Sequence, residues 1–136
     1  MIEIISNRHN LEDYFECVKD LMNSGTKSEY KEALAKVLYQ RNNYVVYVNT
    51  RYRKIVATGA VMFENKIRYN QPKGYIEDIA VHPEHRGKGY GKQMVKHLIS
   101  CCKKRNCYKI VLTCNDDLVD YYKSLGFDKT VNFMVQ

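Results

Sequence analysis

The sequence lacks three features that would set it apart from ordinary globular proteins. It has no apolar run near the roughly 20 residues needed to cross a bilayer, no Cys-x-x-Cys pair and no low-complexity segment. The opening segment, Met1-Ile-Glu-Ile-Ile-Ser, includes an acid and no long apolar core, so we expect a first strand there rather than a signal peptide.

The number and spacing of the cysteines limit the redox chemistry that the chain is expected to have. Five are present, at positions 17, 101, 102, 107 and 114, and they form no ligand-spaced set with the 4 histidines. We therefore expect no disulfide framework and no metal site, with reduced thiols in the cytoplasm. Cys114 could serve as a nucleophile, but a small buried residue on a strand is the preferred interpretation.

The chain has 136 residues and is 45% hydrophobic, which suits one folded domain over 1–136. Its net charge of +7 allows nucleic acid, an anionic membrane surface or a polyanionic small molecule as partner. The basic run Lys103-Lys104-Arg105 could contact nucleic acid, or it could be a solvated helix end, where cations are favoured. Charge alone does not choose among these partners.

Hydrophobic periodicity predicts an α/β fold, a mixed central sheet flanked by helices in the order β-α-α-β-β-β-α-β-α-β. The predicted strands span 2–6, 44–49, 54–63, 75–82, 108–114 and 127–135, and the predicted helices span 10–22, 28–40, 89–104 and 116–124. Thr50-Arg-Tyr-Arg predicts a hairpin between two strands, and residues 70–74 predict a loop. The unit from 75 to 114 predicts a right-handed parallel crossover.

Glycines alternate through Arg86-Gly-Lys-Gly-Tyr-Gly, at the predicted junction between a strand and a helix. Glycine lets backbone N–H groups turn toward an anion, and the free N–H groups of a helix start favour phosphate. An ordinary flexible turn is the alternative, against which the amphipathic helix that follows argues. The spacing is not the Gly-x-Gly-x-x-Gly of dinucleotide loops, and Gln93 replaces the Ser or Thr of a P-loop.

Adjacent acids stand inside a predicted strand, where burial without partners is costly. Period-2 alternation predicts that Glu77 and Ile79 face one side of the strand and Asp78 the other. A carboxylate can hold an ammonium group and help to remove its proton. A pair of salt-bridged structural acids is the alternative.

The pattern Arg86-x-x-Gly89-x-Gly91, preceded by Val-x-Pro-x-x-Arg, resembles the signature of the GNAT superfamily of N-acetyltransferases, and the resemblance covers nearly the whole chain. The segments Tyr75-Ile-Glu-Asp-Ile-Ala-Val, Cys107-Tyr-Lys-Ile-Val-Leu-x-Cys and Tyr121-Tyr-Lys-Ser-Leu-Gly-Phe, with Ala57-Thr-Gly, are similar to its glucosamine 6-phosphate N-acetyltransferase family. The resemblance implies a GNAT fold, acetyl-coenzyme A as cosubstrate, glucosamine 6-phosphate as acceptor, and an intertwined homodimer with active sites near the interface. It requires no metal, no nucleic acid and no membrane.

The resemblance also implies roles for individual residues. Coenzyme binding falls to Ile79, Ala80, Val81, Arg86, Gly87, Lys88, Gly89, Tyr90, Gly91, Tyr122, Lys123 and Ser124. Acceptor binding falls to Glu77, Asp78, Ile79, Tyr108, Lys109, Thr113, Lys66, Arg68 and Tyr69.

Two residues are expected to be catalytic. Glu77 would assist removal of the amine proton, and Tyr122 would donate to the departing thiolate, with Tyr121 as competitor. A phenol has a higher pKa than a thiol, so the tyrosine remains a proton donor near neutrality. Backbone N–H groups near Ile79 to Val81 are candidates to polarise the thioester carbonyl.

Several positions depart from the family pattern. Thr113 stands where relatives have an acid near the sugar, Leu118 replaces an Asn near the coenzyme, and Arg68 differs in type. The chain ends at Gln136, before a terminal basic residue of the sugar site, and the boundary at Met22 and Asn23 aligns with a substrate-contacting loop. Two alternatives therefore stay open: an acetyltransferase of another amine, such as a protein N-terminus or a polyamine, and a catalytically silent basic binding module.

Overall fold

The computed structural model describes residues 1–22, 25–39, 43–130 and 134–136. Within these residues a 5-stranded sheet has the order β1-β2-β3-β4-β5. The strands are β1 (Ile2–Ile4), β2 (Tyr44–Arg51), β3 (Lys54–Lys66), β4 (Gln71–Val81) and β5 (Lys109–Val111). The helices are α1 (Leu11–Val18), α2 (Lys27–Tyr39), α3 (Tyr90–Lys104) and α4 (Val119–Lys123). Strands β1 to β4 pair antiparallel and β4 pairs parallel with β5, which confirms the mixed sheet and the parallel crossover.

Local sequence signals explain where the first elements begin and turn. The side chain of Asn10 caps α1, because its Oδ1 accepts the backbone N–H of Glu12 at 3.1 Å. The hairpin between β2 and β3 turns at Tyr52 and Arg53, which have φ of 50° and 64°. Positive φ at both central residues gives the turn twist that matches two antiparallel strands, so the predicted hairpin is confirmed.

Two apolar clusters, one on each face of the sheet, form the core. Phe15, Val18 and Leu34 bring α1 and α2 onto one face. Met94 and Leu98 of α3 pack on the other face, at the spacing that predicted this helix. Strand β3 is buried continuously from Ile55 to Val61 because it is covered on both sides.

Three predicted boundaries are wrong or incomplete. The predicted loop at 70–74 is mostly strand, since β4 begins at Gln71 and tolerates Pro72 near its start. Strand β5 ends at Val111, which leaves Cys114 outside the strand and exposed rather than buried. The described residues of the predicted last strand, 127–130 and 134–136, form no regular structure. The N–H of Phe127 instead donates to the carbonyl of Tyr122 at 3.1 Å. Residues 131–133 of that strand, together with Asn23 and Gln40, lie outside the described residues.

Candidate active site

A β-bulge interrupts β4 where the two predicted carboxylates lie. Ala60 pairs with Glu77 and Thr58 pairs with Ala80, so Asp78 and Ile79 together face the single residue Gly59. Asp78 has φ of 54°, a left-handed conformation that Asp adopts more readily than most residues. Bulges of this kind re-aim side chains and occur frequently next to active sites.

The bulge shifts the alternation of side chains along β4. Ile76 and Ile79 both pack beneath α3, whereas Asp78 lines a pocket on the face covered by α1 and α2. The prediction that Glu77 and Ile79 share a face opposite Asp78 is therefore wrong, because one extra residue in the strand breaks the period of 2.

Both carboxylates act on the hydroxyl of Tyr44, on the α1–α2 face. The Tyr44 hydroxyl donates to Oδ2 of Asp78 at 3.4 Å. Burial raises the pKa of Tyr44, and the neighbouring charges of Glu77 and Asp78 raise it further. The structure thus brings the two predicted acids together beside one neutral phenol, which suits binding of an ammonium group.

Gly59 makes the bulge possible by leaving room on the opposite face. A Cβ at this position would lie 2.7 Å from Cδ1 of Ile79 and 2.8 Å from Cγ of Met94. Ile79 therefore fills the space that a side chain at 59 would need. This contact explains why the Ala57-Thr-Gly segment has glycine at position 59.

The glycine loop leads directly into the first turn of α3. Gly87 and Gly89 have φ of 76° and 82°, and a Cβ at either would meet no atom of the described residues within 4 Å. Backbone conformation, rather than space, is thus what requires glycine here. Gly89 caps α3 without a side-chain hydrogen bond, so the N–H groups of the first turn suit a phosphate.

The charged residues of the loop already have partners. Nη2 of Arg86 bonds Oδ2 of Asp20 at 2.7 Å, and its Nε donates to the Val81 carbonyl at 3.3 Å. Lys88 donates to the Glu84 carbonyl at 3.4 Å. Because Arg86 ties the loop to Asp20, in the turn that follows α1, the loop amides are better placed than the guanidinium to receive a pyrophosphate.

Helix α4 approaches the same loop. A Cβ at Gly91 would lie 3.7 Å from the hydroxyl of Tyr121. The Tyr122 ring packs edge-on against Phe127 at 6.0 Å between centroids. Burial raises the pKa of both tyrosines, and the neighbouring Tyr121 and Cys114 contribute for Tyr122. Both hydroxyls remain available as candidate proton donors.

The residues that follow in α4 have different surroundings. The Ser124 hydroxyl donates to the Tyr121 carbonyl at 2.5 Å, so its proton serves the helix end. Lys123 is exposed. Cys114 was expected to be buried on a strand, but it is exposed and lies near Tyr122.

A cleft of about 540 Å³ lies between the connection from β3 to β4 and the start of β5. Its lining brings together predicted acceptor residues from two distant segments: Lys66, Arg68, Tyr69, Tyr108 and Lys109. The rings of Tyr69 and Tyr108 stack at 4.1 Å with an interplanar angle of 23°. Nη2 of Arg68 donates to the Tyr69 hydroxyl at 2.8 Å, which fixes both side chains at the mouth of the cleft.

Positive charge dominates this cleft. Lys73 joins Lys66, Arg68 and Lys109 in its lining, while Glu64 pairs with both Lys66 and Lys73. The hydrogen bonds from these lysines lower the pKa of Glu64. Sequence reasoning missed Lys73 because Pro72 and Gly74 beside it indicated a loop. The cations in the lining outnumber the one carboxylate that pairs with them, Glu64. The cleft therefore keeps a positive charge, which suits a phosphate.

Three other positions singled out from the sequence are not part of the lining of this cleft. The hydroxyls of Thr113, two residues beyond β5, and Tyr75 of β4 are 3.2 Å apart. This hydrogen bond occupies the position where the family has an acid. Met22, where the resemblance implied a substrate-contacting loop, lines the pocket beside Asp78. Leu118 is exposed in the turn before α4.

One cluster of possible metal ligands was not expected from the sequence. His82, Glu84 and His85 place ligand atoms within 4.8 Å of one another, just before the glycine loop. Nδ1 of His82, however, accepts the backbone N–H of Glu84 at 3.3 Å and so caps the turn. Among the described residues, no helix has the length and apolar character needed to cross a membrane.

Known proteins share both the sequence pattern and the fold. The model of the acetyltransferase (GNAT) family matches residues 10–127. Glucosamine 6-phosphate N-acetyltransferase 1 of Dictyostelium discoideum is 32% identical over 120 residues, which cover 85% of this chain and 76% of that protein. Glucosamine 6-phosphate N-acetyltransferase of Arabidopsis thaliana is 43% identical over 74 residues, covering 54% of this chain and 50% of the relative. A crystal structure of the enzyme from Arabidopsis thaliana aligns with a TM-score of 0.83 at 28% identity, covering 100% of this chain and 96% of that one.

The bulged fourth strand, the glycine loop at the start of α3 and the tyrosine pair of α4 define the class of acyl-coenzyme A N-acyltransferases. Together with the family match over residues 10–127, they show that the chain belongs to the acetyltransferase (GNAT) family. It is an acetyl-coenzyme A-dependent N-acetyltransferase.

Proposed function

We propose that the acceptor is glucosamine 6-phosphate and the product N-acetylglucosamine 6-phosphate, a precursor of UDP-N-acetylglucosamine. The observation that carries the proposal is the cationic cleft, which gathers Lys66, Arg68, Tyr69, Tyr108 and Lys109 from two segments far apart in the chain. Its charge suits the phosphate group, and the tyrosine hydroxyls suit phosphate or sugar oxygens. The similarity to glucosamine 6-phosphate N-acetyltransferases supports the same acceptor.

In this proposal the coenzyme binds along β4, the loop and α4. The amides of residues 87–91 receive the pyrophosphate at the start of α3, and the backbone of Ile79 to Val81 lies beside the thioester. Lys123 adds positive charge at the other edge, while Arg86 holds the loop through Asp20. The position of each segment around the glycine loop supports these assignments.

The reaction is a direct acetyl transfer within a ternary complex. Glu77 and Asp78 hold the ammonium group of the sugar, and Glu77 removes a proton, directly or through water. The free amine attacks the thioester carbonyl, a C–N bond forms, the C–S bond breaks, and the nitrogen releases its second proton to water. Tyr122 donates its proton to the departing thiolate, because burial raises the pKa of its phenol and keeps it protonated. No metal and no covalent enzyme intermediate take part.

We further propose that the enzyme works as a homodimer. Asp78 lies five positions after Lys73 on β4, which corresponds to about 16 Å at roughly 3.3 Å per residue. A hexosamine phosphate is shorter than this Cα separation, so one chain could supply both groups only if their side chains extend toward each other. An arrangement in which one subunit supplies the carboxylates and its partner supplies the phosphate cleft removes the difficulty. The exposed Ile67 and Tyr69 beside the cleft support such an interface.

The remaining parts of the proposal concern the whole chain. All five cysteines are free thiols, which supports a reducing, cytoplasmic location. The sheet takes strands from Ile2 to Val111, and α3 and α4 complete the coenzyme side, which supports one acetyltransferase domain over residues 1–136.

A thiol-release assay with acetyl-coenzyme A tests the acceptor. Glucosamine 6-phosphate, glucosamine, spermidine and a peptide with a free N-terminus are compared at equal concentration. We expect turnover with glucosamine 6-phosphate to exceed turnover with the other amines. Turnover with another amine and none with glucosamine 6-phosphate would reject the proposed acceptor while leaving the enzyme class intact.

A further inference from the structure

A second pocket, of about 490 Å³, lies between α1, α2 and β2 on the face of the sheet opposite α3. Its walls are aromatic and aliphatic, with Tyr14, Tyr30, Leu34 and Val37 among them, and Asp78 is the one charged side chain among its described lining residues. The volume lies in the range of small-molecule sites, which are mostly apolar with a few polar groups. A phosphosugar does not match this lining, since no cation stands among the described residues that form it.

The charge of the pocket selects the kind of ligand. Asp78 accepts a hydrogen bond from the Tyr44 hydroxyl at 3.4 Å, which holds its carboxylate at the pocket wall. Burial, with the negative charge of Asp78, raises the pKa of Tyr14 to about 12. The phenols of Tyr14 and Tyr44 therefore stay neutral at pH 7, and the negative charge at this wall comes from Asp78, with Glu77 close behind it at Tyr44. Such a site is complementary to one positive charge carried on an apolar body.

The position of the anion links the pocket to the reaction. Asp78 is the bulged residue immediately before Ile79. In the proposed function, the last residues of β4, Ile79 to Val81, lie beside the thioester. An ammonium group bound at Asp78 thus sits next to the acetyl donor, with its apolar body pointing toward α2. This arrangement differs from the proposed phosphosugar mode, in which the rest of the acceptor extends to the cationic cleft of the partner subunit.

We propose that this pocket gives the enzyme a second class of acceptor, primary amines with an aromatic or branched apolar body. The bound ammonium group loses one proton to Glu77 or water, and the free amine attacks the thioester carbonyl. The amide C–N bond forms and the C–S bond breaks, Tyr122 gives a proton to the coenzyme thiolate, and the second nitrogen proton passes to the Tyr122 phenolate or to water. The inference rests on the acetyl-transfer chemistry of the proposed function but not on its phosphosugar acceptor.

Helix α2 offers a matched pair of variants. Ala33 is exposed and lines the pocket, whereas Ala35 is exposed on the same helix and is not part of the lining. Thiol release is measured for the wild type, Ala33→Trp and Ala35→Trp, with phenethylamine and glucosamine 6-phosphate as acceptors. We expect Ala33→Trp to lower the ratio of kcat/KM for phenethylamine to that for glucosamine 6-phosphate at least about tenfold, because the indole fills the pocket. Ala35→Trp should leave the ratio within about twofold.

Direct binding separates charge from apolar contact. By calorimetry or NMR titration, methylamine, which lacks the apolar body, and 2-phenylethanol, which lacks the charge, should each bind at least about tenfold more weakly than phenethylamine. Equal binding of 2-phenylethanol would contradict the role given to Asp78.

The outcomes of the two proposals can be told apart. Turnover of glucosamine 6-phosphate with neither turnover nor saturable binding of phenethylamine would overturn the second acceptor class alone. Turnover of phenethylamine without glucosamine 6-phosphate would support this pocket and reject the phosphosugar. If Ala33→Trp changes only the oligomeric state measured by sedimentation, with the ratio unchanged, a second copy of the chain covers the pocket and the inference is wrong.

Discussion

Tyr121 and Tyr122 stand side by side in α4, and the two hydroxyls compete for one place beside the departing thiolate. Replacing Tyr122 by Phe should lower kcat by about 100-fold, the usual size of a lost general acid, with KM for acetyl-coenzyme A changed little. Tyr121→Phe is the matched control, since it removes the same atom one position earlier. A larger loss of kcat in Tyr121→Phe would reverse the assignment. The Tyr121 hydroxyl lies close to Gly91 of the glycine loop, so this outcome has a structural basis.

The same tyrosine sets an expectation for pH. Burial raises the pKa of Tyr122 above the ordinary tyrosine value of about 10, so its proton is present through neutral pH and is lost only as pH rises beyond that value. In the wild type the alkaline fall in kcat should therefore lie above about pH 10, as far as stability allows. In Tyr122→Phe that fall should disappear; a wild-type fall centred near pH 8 that persists in the variant would point to a different donor.

At the scale of single residues, motifs were more predictable than side-chain directions. The loop from Arg86 to Gly91 was predicted because its backbone conformation requires glycine, and the glycines are visible in the local sequence. The direction of Asp78 was not, since the bulge depends on the pairing of β4 with Gly59 on another strand. A sequence window of one strand holds no signal for that register.

Strand β4 depends on the absence of a side chain at Gly59 of β3. Gly59→Ala would place a Cβ 2.7 Å from Ile79 and 2.8 Å from Met94, so the core must shift. We expect a loss of about 1–3 kcal/mol in the free energy of unfolding, typical of overpacking. Urea denaturation measures it, and the bulge that carries Asp78 should be displaced with it.

Gly91→Ala is the comparison for that experiment. Its added Cβ meets only ordinary contacts, the nearest at 3.4 Å from Val81, and alanine favours a helix over glycine. Its free energy of unfolding should be equal to or above that of the wild type. Equal stability losses in both variants would mean that the close packing around Gly59 is not what limits β4.

Elements with a strong period were predicted well, and elements defined by pairing were not. Helix α3 was predicted because Met94, Val95, Leu98 and Cys102 repeat on one buried face. The start of β4 was missed because Pro72 and Gly74 are usual loop residues, yet this part of the strand pairs with β3 on one side and with β5 on the other. Lys73 was missed for the same reason.

The whole molecule is proposed to be a dimer that shares its active sites, and subunit complementation tests this arrangement. Glu77→Gln removes the acid of one half-site, and Lys109→Ala removes a cation of the other. Each variant alone should have low activity at limiting glucosamine 6-phosphate. Co-expressed subunits should recover about a quarter of wild-type activity, because half of the dimers are mixed and each mixed dimer holds one intact site.

The complementation result is read against each parent. Activity of the mixture that does not exceed the average of the two parents would show that both residues act within one chain. Sedimentation of the same samples confirms that mixed dimers are present. At this scale the sequence offered only the family resemblance, because an interface between two copies leaves no periodic signal in one chain.

The preference for a phosphorylated sugar tests the account most directly. It is measured as the ratio of kcat/KM for glucosamine 6-phosphate to that for glucosamine, in the wild type, Lys109→Ala and the surface control Lys96→Ala. We expect a wild-type ratio well above 1, a loss of about tenfold or more in Lys109→Ala, as a charge-assisted hydrogen bond is worth about 1.5–3 kcal/mol, and no change in Lys96→Ala. A ratio near 1 in the wild type, or one that Lys109→Ala leaves unchanged, would contradict the assignment of the cleft to phosphate.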